Sequence, residues 1–599
     1  MSQQTFDLRL TSLAQAYQHG DFTPRELLAD LRQRAQALNP EYQLFIHILT
    51  AEEQEPWLAA LDGVDPHTLP LYGVPFAIKD NIDLAGIATT AACPAWSHTA
   101  TQDATIVAQL IALGAIPVGK TNLDQFATGL NGTRSPYGRC RNAYHADYPS
   151  GGSSSGSALA VALGVASFAL GTDTAGSGRV PASLNNLVGL KASKGLISTA
   201  GVVPACRTLD CTTFLTATAE EASQLLALTA QYDPRDAYSR RNPQWNGRQA
   251  FGAPPASFHF GVPQTLNFLG CPQSEALFMQ AKARLMALGG VPVSLDMTPF
   301  LDAARLLYEG PWVAERYAVV GPLIEQQPEA VLPVIRDVLA KAPQTDAVAT
   351  FKAMYQLQGY KAQCDALLEG LDCVLTPTYP RPVTLAELEA EPVKRNADLG
   401  YYTNFMNLLD YAAVNVPVGF MDNGLPSGVT LFGRVFTDQY LLGLADAFQR
   451  IQPLPLVGGN RVADALPVTK ASHDRLSLVV CGAHLDGLAL NGQLRERGGR
   501  LLTATQSAAH YRLYALADGK RPGMVRDNNQ GAAIAVEVWD LPSAELGSLL
   551  AAIPAPLGLG KVELADGRWL SGFICEGYGL QGATDITDFG GWRAWLNRQ

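Results

Sequence analysis

Between Leu71 and Thr174, short apolar runs alternate with longer helical stretches, and this alternation restricts the fold more than any other feature of the chain. Residues 73–80 (GVPFAIKD) read as a buried strand ending near Lys79. Residues 103–115 have helical spacing, and residues 116–121 (IPVGKT) read as the strand that follows. Residues 157–174 pass from a small-residue helix into a further strand. Their apolar core, residues 158–171, is shorter than the roughly 20 residues that span a bilayer. Strands separated by helices pack as a sheet with helical cover, so the expected class is α/β with a mixed, largely covered sheet. Upstream, Thr23-Pro24-Arg25-Glu26 fits a capping box, with Phe22 and Leu27 placed as a hydrophobic staple. Residues 272–370 read as mostly helical. Residues 372–380 and 426–434 look like strands returning to the sheet, and helical text ends near Gln449.

A composition change marks a second unit. Residues 452–474 are rich in Pro, Gly and small polar residues, a linker signal, and alternating β-rich text begins near Ser477. The expected division is a first domain over 1–455, a linker over 456–475 and a second domain over 476–599. With 47% hydrophobic and 17% charged residues, both units have material for a core. A net charge of -11 speaks against a broad nucleic-acid surface. Nine cysteines, an odd number without a CxxC pair, together with an N-terminus lacking a basic and an apolar region, point to free thiols in a cytoplasmic protein. No metal-ligand spacing is present, so neither a metal nor a cofactor is expected.

Two Gly/Ser-rich segments carry the chemistry: Gly151-Gly152-Ser153-Ser154-Ser155-Gly156-Ser157 and Gly171-Thr172-Asp173-Thr174-Ala175-Gly176-Ser177-Gly178-Arg179. Glycines let backbone amides face a ligand, and serines supply nucleophiles and proton relays. Lys79, at the end of an apolar strand, is a candidate for a lowered pKa, because burial disfavours its charged form; a neutral lysine is a general base near neutral pH. Alone, each feature has an ordinary reading: a Gly/Ser run is a loop, and a strand-end lysine is a solvated charge. Two competing motifs fail on context. Residues 114–121 (GAIPVGKT) match the P-loop letters, but a P-loop follows a strand and opens a helix, whereas here the motif follows a helix and contains the strand. Residues 152–156 (GSSSG) match a nucleophile elbow centred on Ser154, but loop-like text precedes them.

In combination these segments resemble the amidase signature family, over roughly residues 20–450. The resemblance implies an amidase-signature fold and a Ser–cis-Ser–Lys triad. In this chain the cis-serine falls on Ser153, the nucleophile on Ser177 and the lysine on Lys79; Ser155 stands where the family usually has glycine. It further implies that Ser177 attacks an amide carbonyl, Ser153 relays the proton to neutral Lys79, and the N–H groups of Thr174, Ala175, Gly176 and Ser177 form the oxyanion hole. Such a donor is worth roughly 3–4 kcal/mol in the transition state. Residues 305–319 (RLLYEGPWVAERYAV) and 129–138 (GLNGTRSPYG) resemble the allophanate hydrolases within that family. There Tyr308, Arg316 and Gly132 would line the substrate pocket, and an arginine fork suits the carboxylate of allophanate. Eight residues apart, Tyr308 and Arg316 are expected to fall roughly 80° apart around a helix and about two turns along it; read blandly, they are a core tyrosine and a surface charge.

Residues 481–494, 511–516, 521–526 and 577–580 resemble the allophanate hydrolase C-terminal domain, an α+β fold like γ-glutamyl cyclotransferase. His484 is the candidate there, against the plain reading of a hydrogen-bonded core histidine; Arg526 and Glu576 are weaker ones. The implied activity is hydrolysis of allophanate to ammonia and carbon dioxide through N-carboxycarbamate. A homodimer is implied too, as is coupling to urea carboxylase or to an amidohydrolase of cyanuric acid breakdown. Other readings are an amidase of another small carboxylated amide, one chain of a tRNA-dependent amidotransferase, and a scaffold whose second domain mediates assembly.

Overall fold

A computed structural model of the protein describes residues 6–243, 246–247, 258–456, 475–495 and 497–598. They divide into two compact units, and the division falls within residues 457–474, outside the described residues, where most of the expected linker also lies.

The larger unit is organised by an eleven-stranded sheet. Its strands are β1 (Phe45–Ile48), β2 (Pro75–Lys79), β3 (Ile116–Thr121), β4 (Phe168–Asp173), β5 (Val188–Lys191), β6 (Cys211–Thr216), β7 (Phe258–Pro263), β8 (Gly290–Leu295), β9 (Cys373–Pro377), β10 (Ala412–Phe420) and β11 (Pro426–Gly433). They lie side by side in the order β1-β3-β2-β4-β6-β5-β10-β11-β9-β7-β8. β2 runs parallel to both β3 and β4, while β4 and β6 are antiparallel, so the sheet is mixed as expected. Every residue of β2, β3, β4 and β6 is buried. Strands covered on both faces read as continuous rather than alternating apolar text, which is the pattern seen in the sequence.

Helix α1 (Pro24–Tyr42) opens on the expected capping box. The Glu26 N–H donates to Thr23 Oγ1 at 3.3 Å, and the Thr23 N–H donates to Glu26 Oε2 at 2.8 Å. α2 (Thr105–Ala112) precedes β3, so the P-loop-like letters form a strand, and Lys120 there faces Asp80 at 3.3 Å rather than a phosphate. α3 (Ser155–Ala162) is buried along its whole length, as its small and apolar composition allows, and leads towards β4. Residues 272–370 are mostly helical but also contain β8, a six-residue strand that the helical text around it conceals.

One expectation is corrected. Tyr308 and Arg316 do not share a helix. α4 (Thr298–Glu309) ends before Gly310, and α5 (Trp312–Gln326) starts after Pro311. Proline at that point cannot donate into the preceding turn, and its ring excludes a continuous helix. The angle between the two side chains is therefore set by a turn.

The smaller unit is α+β. Its five-stranded sheet runs β13 (Arg500–Gln506), β16 (Ala535–Pro542), β12 (Arg475–Val480), β18 (Trp569–Cys575), β17 (Leu557–Glu563). A three-stranded sheet joins β15 (Pro522–Arg526), β14 (Tyr511–Ala515) and β19 (Thr584–Asp585). Its core centres on Trp539, Tyr511 and Leu478, and Trp539 donates its indole N–H to Glu537 at 3.0 Å.

Two helical glycines make a paired test of the close packing around α3. A Cβ on Gly156 would lie 2.0 Å from the Leu44 carbonyl oxygen and 2.7 Å from the Asn122 nitrogen, both backbone atoms. A Cβ on Gly443, in the helix Asp438–Ile451, would meet nothing within 4 Å. Gly156→Ala is expected to destabilise the protein by about 2 kcal/mol or more, and Gly443→Ala to leave it unchanged or stabilise it by up to about 1 kcal/mol. Thermal unfolding of both variants checks the pair; equal shifts would mean that α3 is not packed against backbone.

Candidate functional site

Lys79 closes β2 with its side chain fully buried. Its ammonium nitrogen lies 2.7 Å from Ser153 Oγ, 3.0 Å from Ser154 Oγ and 2.6 Å from Thr172 Oγ1. Burial pulls its pKa down to about 7; Asp124, Asp210 and Asp173 pull it back up, and Arg316 opposes them. Ser153 stands on the turn before α3, and the Gly152–Ser153 peptide is cis. Ser154 is held twice by β4: its hydroxyl donates to the Thr172 carbonyl at 3.1 Å and accepts from the Thr172 N–H at 3.2 Å. Ser155, the departure from the family pattern, donates to the Ser153 carbonyl at 3.3 Å and is buried.

Ser177 follows β4 on a turn organised by the Asp173 carboxylate. Asp173 accepts from the Gly176 N–H at 2.7 Å and the Gly178 N–H at 3.2 Å, and pairs with Arg179 through two contacts of 2.9 Å. Both partners are wholly buried. Burial alone would push Asp173 up, but the adjacent guanidinium holds it below the ordinary carboxylate value. The turn is tied to the Ser153-Ser154 segment through the Ser154 N–H, which donates to the Ser177 carbonyl at 3.2 Å. Ser177 Oγ donates to the Gly129 carbonyl at 3.5 Å, and among the described residues it makes no hydrogen bond to Ser153.

Of the four N–H groups expected in an oxyanion hole, that of Gly176 is engaged by Asp173, because the turn needs the carboxylate at its centre. Thr174 is fixed differently. Its hydroxyl donates to Asp210 at 2.5 Å, and Asp210 also accepts from the N–H groups of Ala205 and Cys206. Burial pushes Asp210 up to about 6.

The expected pocket residues come from three elements: Tyr308 from α4, Arg316 from α5 and Gly132 from a loop after β3. Arg316 is 3% exposed; it donates to Thr128 Oγ1 at 3.1 Å, while its Nε is buried without a partner. Tyr308, Cys206 and Asp210 are close enough to act on its charge. The plain reading of Arg316 as a surface charge is thus wrong, since α5 turns it inward. Thr128, which holds Arg316, is followed by Gly129, whose carbonyl receives Ser177. Gly132 lies on the same loop, with φ +77° and its N–H donating to Asp124. A Cβ there would come within 2.7 Å of the Gly151 carbonyl oxygen.

The sequence reading missed Thr172, Ser154, Asp124 and Asp210. Thr172 and Ser154 are within reach of the sequence, because Ser154 is next to Ser153 and Thr172 is two positions from Thr174. Asp124 and Asp210 carry no local signal; only the fold brings them in.

In the smaller unit His484 lines a cavity of about 80 Å³ with Phe573, Met524 and Gln493. Its ring stacks on Phe573 at 4.8 Å, and its Nε2 is 3.1 Å from Gln493 Oε1. Burial lowers its pKa. Arg526 lies outside that cavity, paired with Glu563 at 2.8 Å and stacked over Trp569, and Glu576 is exposed. No cluster of potential metal ligands occurs among the described residues, and no helix there is long and apolar enough to cross a membrane.

Comparison with known proteins agrees with both units. The Amidase family model matches residues 26–442, and the model of the allophanate hydrolase C-terminal domain matches residues 476–597. Urea amidolyase of Saccharomyces cerevisiae is 43% identical over 553 residues, which are 88% of this chain and 30% of that protein. Urea amidolyase of Lachancea kluyveri is 40% identical over 97% of this chain and 33% of its own length. The chain thus spans about a third of these relatives. The crystallised allophanate hydrolase of Kluyveromyces lactis is 38% identical, with a TM-score of 0.74, and the match covers 99% of this chain and 100% of that one. The chain belongs to the amidase family, with an allophanate hydrolase C-terminal domain following its amidase domain.

Proposed function

We propose that this chain hydrolyses allophanate through a Ser177–Ser153–Lys79 triad. The observation that carries the reading is positional: the loop residue that holds the Arg316 fork, Thr128, is next to the residue whose carbonyl receives Ser177 Oγ. A carboxylate on the arginine, with its partnerless buried Nε, presents the amide of a short molecule to that serine. Tyr308, on the preceding helix, is close enough to act on the Arg316 charge.

A neutral lysine has two N–H bonds and one lone pair. The Ser154 proton is committed to the Thr172 carbonyl, so Ser154 can only accept from Lys79. With Thr172 Oγ1 accepting the second N–H, the lone pair faces Ser153. Ser153 then takes the Ser177 proton and passes its own to Lys79. Ser177 attacks the amide carbonyl of allophanate, and the N–H groups of Thr174, Ala175 and Ser177, which donate to no acceptor among the described residues, receive the oxyanion. The C–N bond breaks as the relay returns its proton to the leaving nitrogen, releasing ammonia. Water attacks the acyl-enzyme by the same relay and frees N-carboxycarbamate, which loses carbon dioxide.

His484 and its cavity are the candidate site for that second stage. Their support is the stacked, half-buried imidazole and the domain match, and the match also disfavours an amidotransferase role. Allophanate comes from a urea-carboxylating activity, and the similarity to urea amidolyases favours that source over cyanuric acid breakdown. We assign the chain to the cytoplasm on its free thiols and to a homodimer on the family resemblance.

Three measurements test this reading. Ser177→Ala should lower ammonia release from allophanate at least about ten-thousandfold with folding intact; a near-normal rate would remove the nucleophile. Arg316→Ala should raise KM for allophanate about ten- to a hundredfold, with a smaller effect on a simple amide lacking the carboxylate; equal effects on the two would refute the clamp. Below pH 7 Lys79 is an ammonium and cannot accept a proton, while above it the amine is free. So kcat/KM should rise with pH along a limb with midpoint near 7, and a profile flat between about pH 5 and about pH 9 would exclude Lys79 as the base.

A further inference from the structure

Asp124 lies on the turn after β3, completely buried. Its carboxylate accepts three backbone N–H groups of one loop: Asn131 at 3.2 Å and Gly132 at 3.0 Å on Oδ2, and Arg134 at 2.9 Å on Oδ1. Its own N–H donates to the Ser153 carbonyl at 3.2 Å. The carboxylate also seats against two glycines. A Cβ on Gly152 would lie 2.1 Å from Oδ2, and a Cβ on Gly129 would lie 2.5 Å from it. Gly152 precedes Ser153, and Gly129 supplies the carbonyl that Ser177 donates to. One side chain therefore joins the substrate loop to the catalytic turn, and each segment has a glycine where it meets that side chain.

We propose that Asp124 is a positioning residue that sets loop Gly129–Arg134 against the Gly151–Ser153 turn, and thereby sets the distance between the bound amide carbonyl and Ser177. The proposal rests on the reading of Ser177, Ser153 and Lys79 as the acyl-transfer machinery. Three charge-assisted N–H bonds in a dry site hold a loop more rigidly than neutral ones would. Asparagine in its place has one acceptor oxygen and turns an NH₂ towards N–H groups. The charge matters a second time. Around Lys79 stand the carboxylates of Asp124, Asp210 and Asp173, with Arg316 opposing them, and Asp124 is the strongest of the charges acting on the lysine. Removing it makes the ammonium form harder to keep, so the acid limb moves to lower pH. A role in folding alone would lower the rate without moving that midpoint.

The test is Asp124→Asn in the full chain, read in two ways. The first is the rate at which a fluorophosphonate phosphonylates Ser177 across pH. The second is kcat and KM on allophanate. The expected result is a loss of about a hundredfold in phosphonylation and kcat, a smaller change in KM, and a midpoint displaced to lower pH. A wild-type rate, or a rate loss with an unmoved midpoint, overturns the proposal. If the variant does not fold, amide exchange in the wild-type protein decides. The N–H groups of Asn131, Gly132 and Arg134 should be protected like the buried strands, and exchange at free-loop rates overturns the proposal. A wild-type protein that reacts with the probe but releases no ammonia from allophanate refutes the substrate assignment alone, and the phosphonylation arm still decides on Asp124. If wild-type Ser177 is inert to the probe, the triad reading and this proposal fall together.

Discussion

The site depends on an amine kept out of water. Lys79 is the last residue of a strand covered on both faces, and its side chain ends among three hydroxyls rather than beside a carboxylate. An ion pair there would keep the lysine charged and useless as a base. Hydroxyls satisfy its hydrogen bonds without stabilising the charge, so desolvation prevails and the amine titrates near neutrality. One strand away in the same sheet, Lys120 faces the Asp80 carboxylate at 3.3 Å, and burial lowers its pKa as well. Two buried lysines on neighbouring strands thus differ in the group placed opposite the nitrogen.

The carboxylates near the site organise backbone. Asp173 gathers the turn that carries Ser177, Asp210 fixes Thr174, and Asp124 gathers the loop opposite. Each is buried and accepts N–H groups, as a buried polar group must. They leave the reacting space to hydroxyls and amides, and their negative charge reaches Lys79 only from a distance.

Much of this is legible in the sequence, and the limits have physical causes. The strand ending at Lys79, the buried small-residue helix and the α1 capping box all follow from local composition and spacing. The mixed sheet follows from the order of those elements. Distance across the sheet is not written locally, which is why Asp124 and Asp210 give no signal despite lying in the text around the motifs. The Tyr308–Arg316 pair shows the opposite difficulty. Gly310-Pro311 lies between them in plain sight, yet the apolar periodicity on both sides reads as one helix. Gly176 shows a third limit, since the commitment of its N–H depends on where the Asp173 side chain points.

The break at Gly310-Pro311 also separates two tasks. Lys79 closes β2, Ser153 stands on the turn before α3 and Ser177 on the turn after β4, so the proposed triad is fixed by the sheet. Tyr308 and Arg316 sit on two helices whose mutual angle depends on a two-residue turn outside it. Lengthening or re-angling that turn would move Tyr308 relative to Arg316 while leaving Lys79, Ser153 and Ser177 where the sheet holds them. With Tyr308 and Arg316 holding the substrate as proposed, its choice would drift through turn substitutions that never touch Ser177, Ser153 or Lys79.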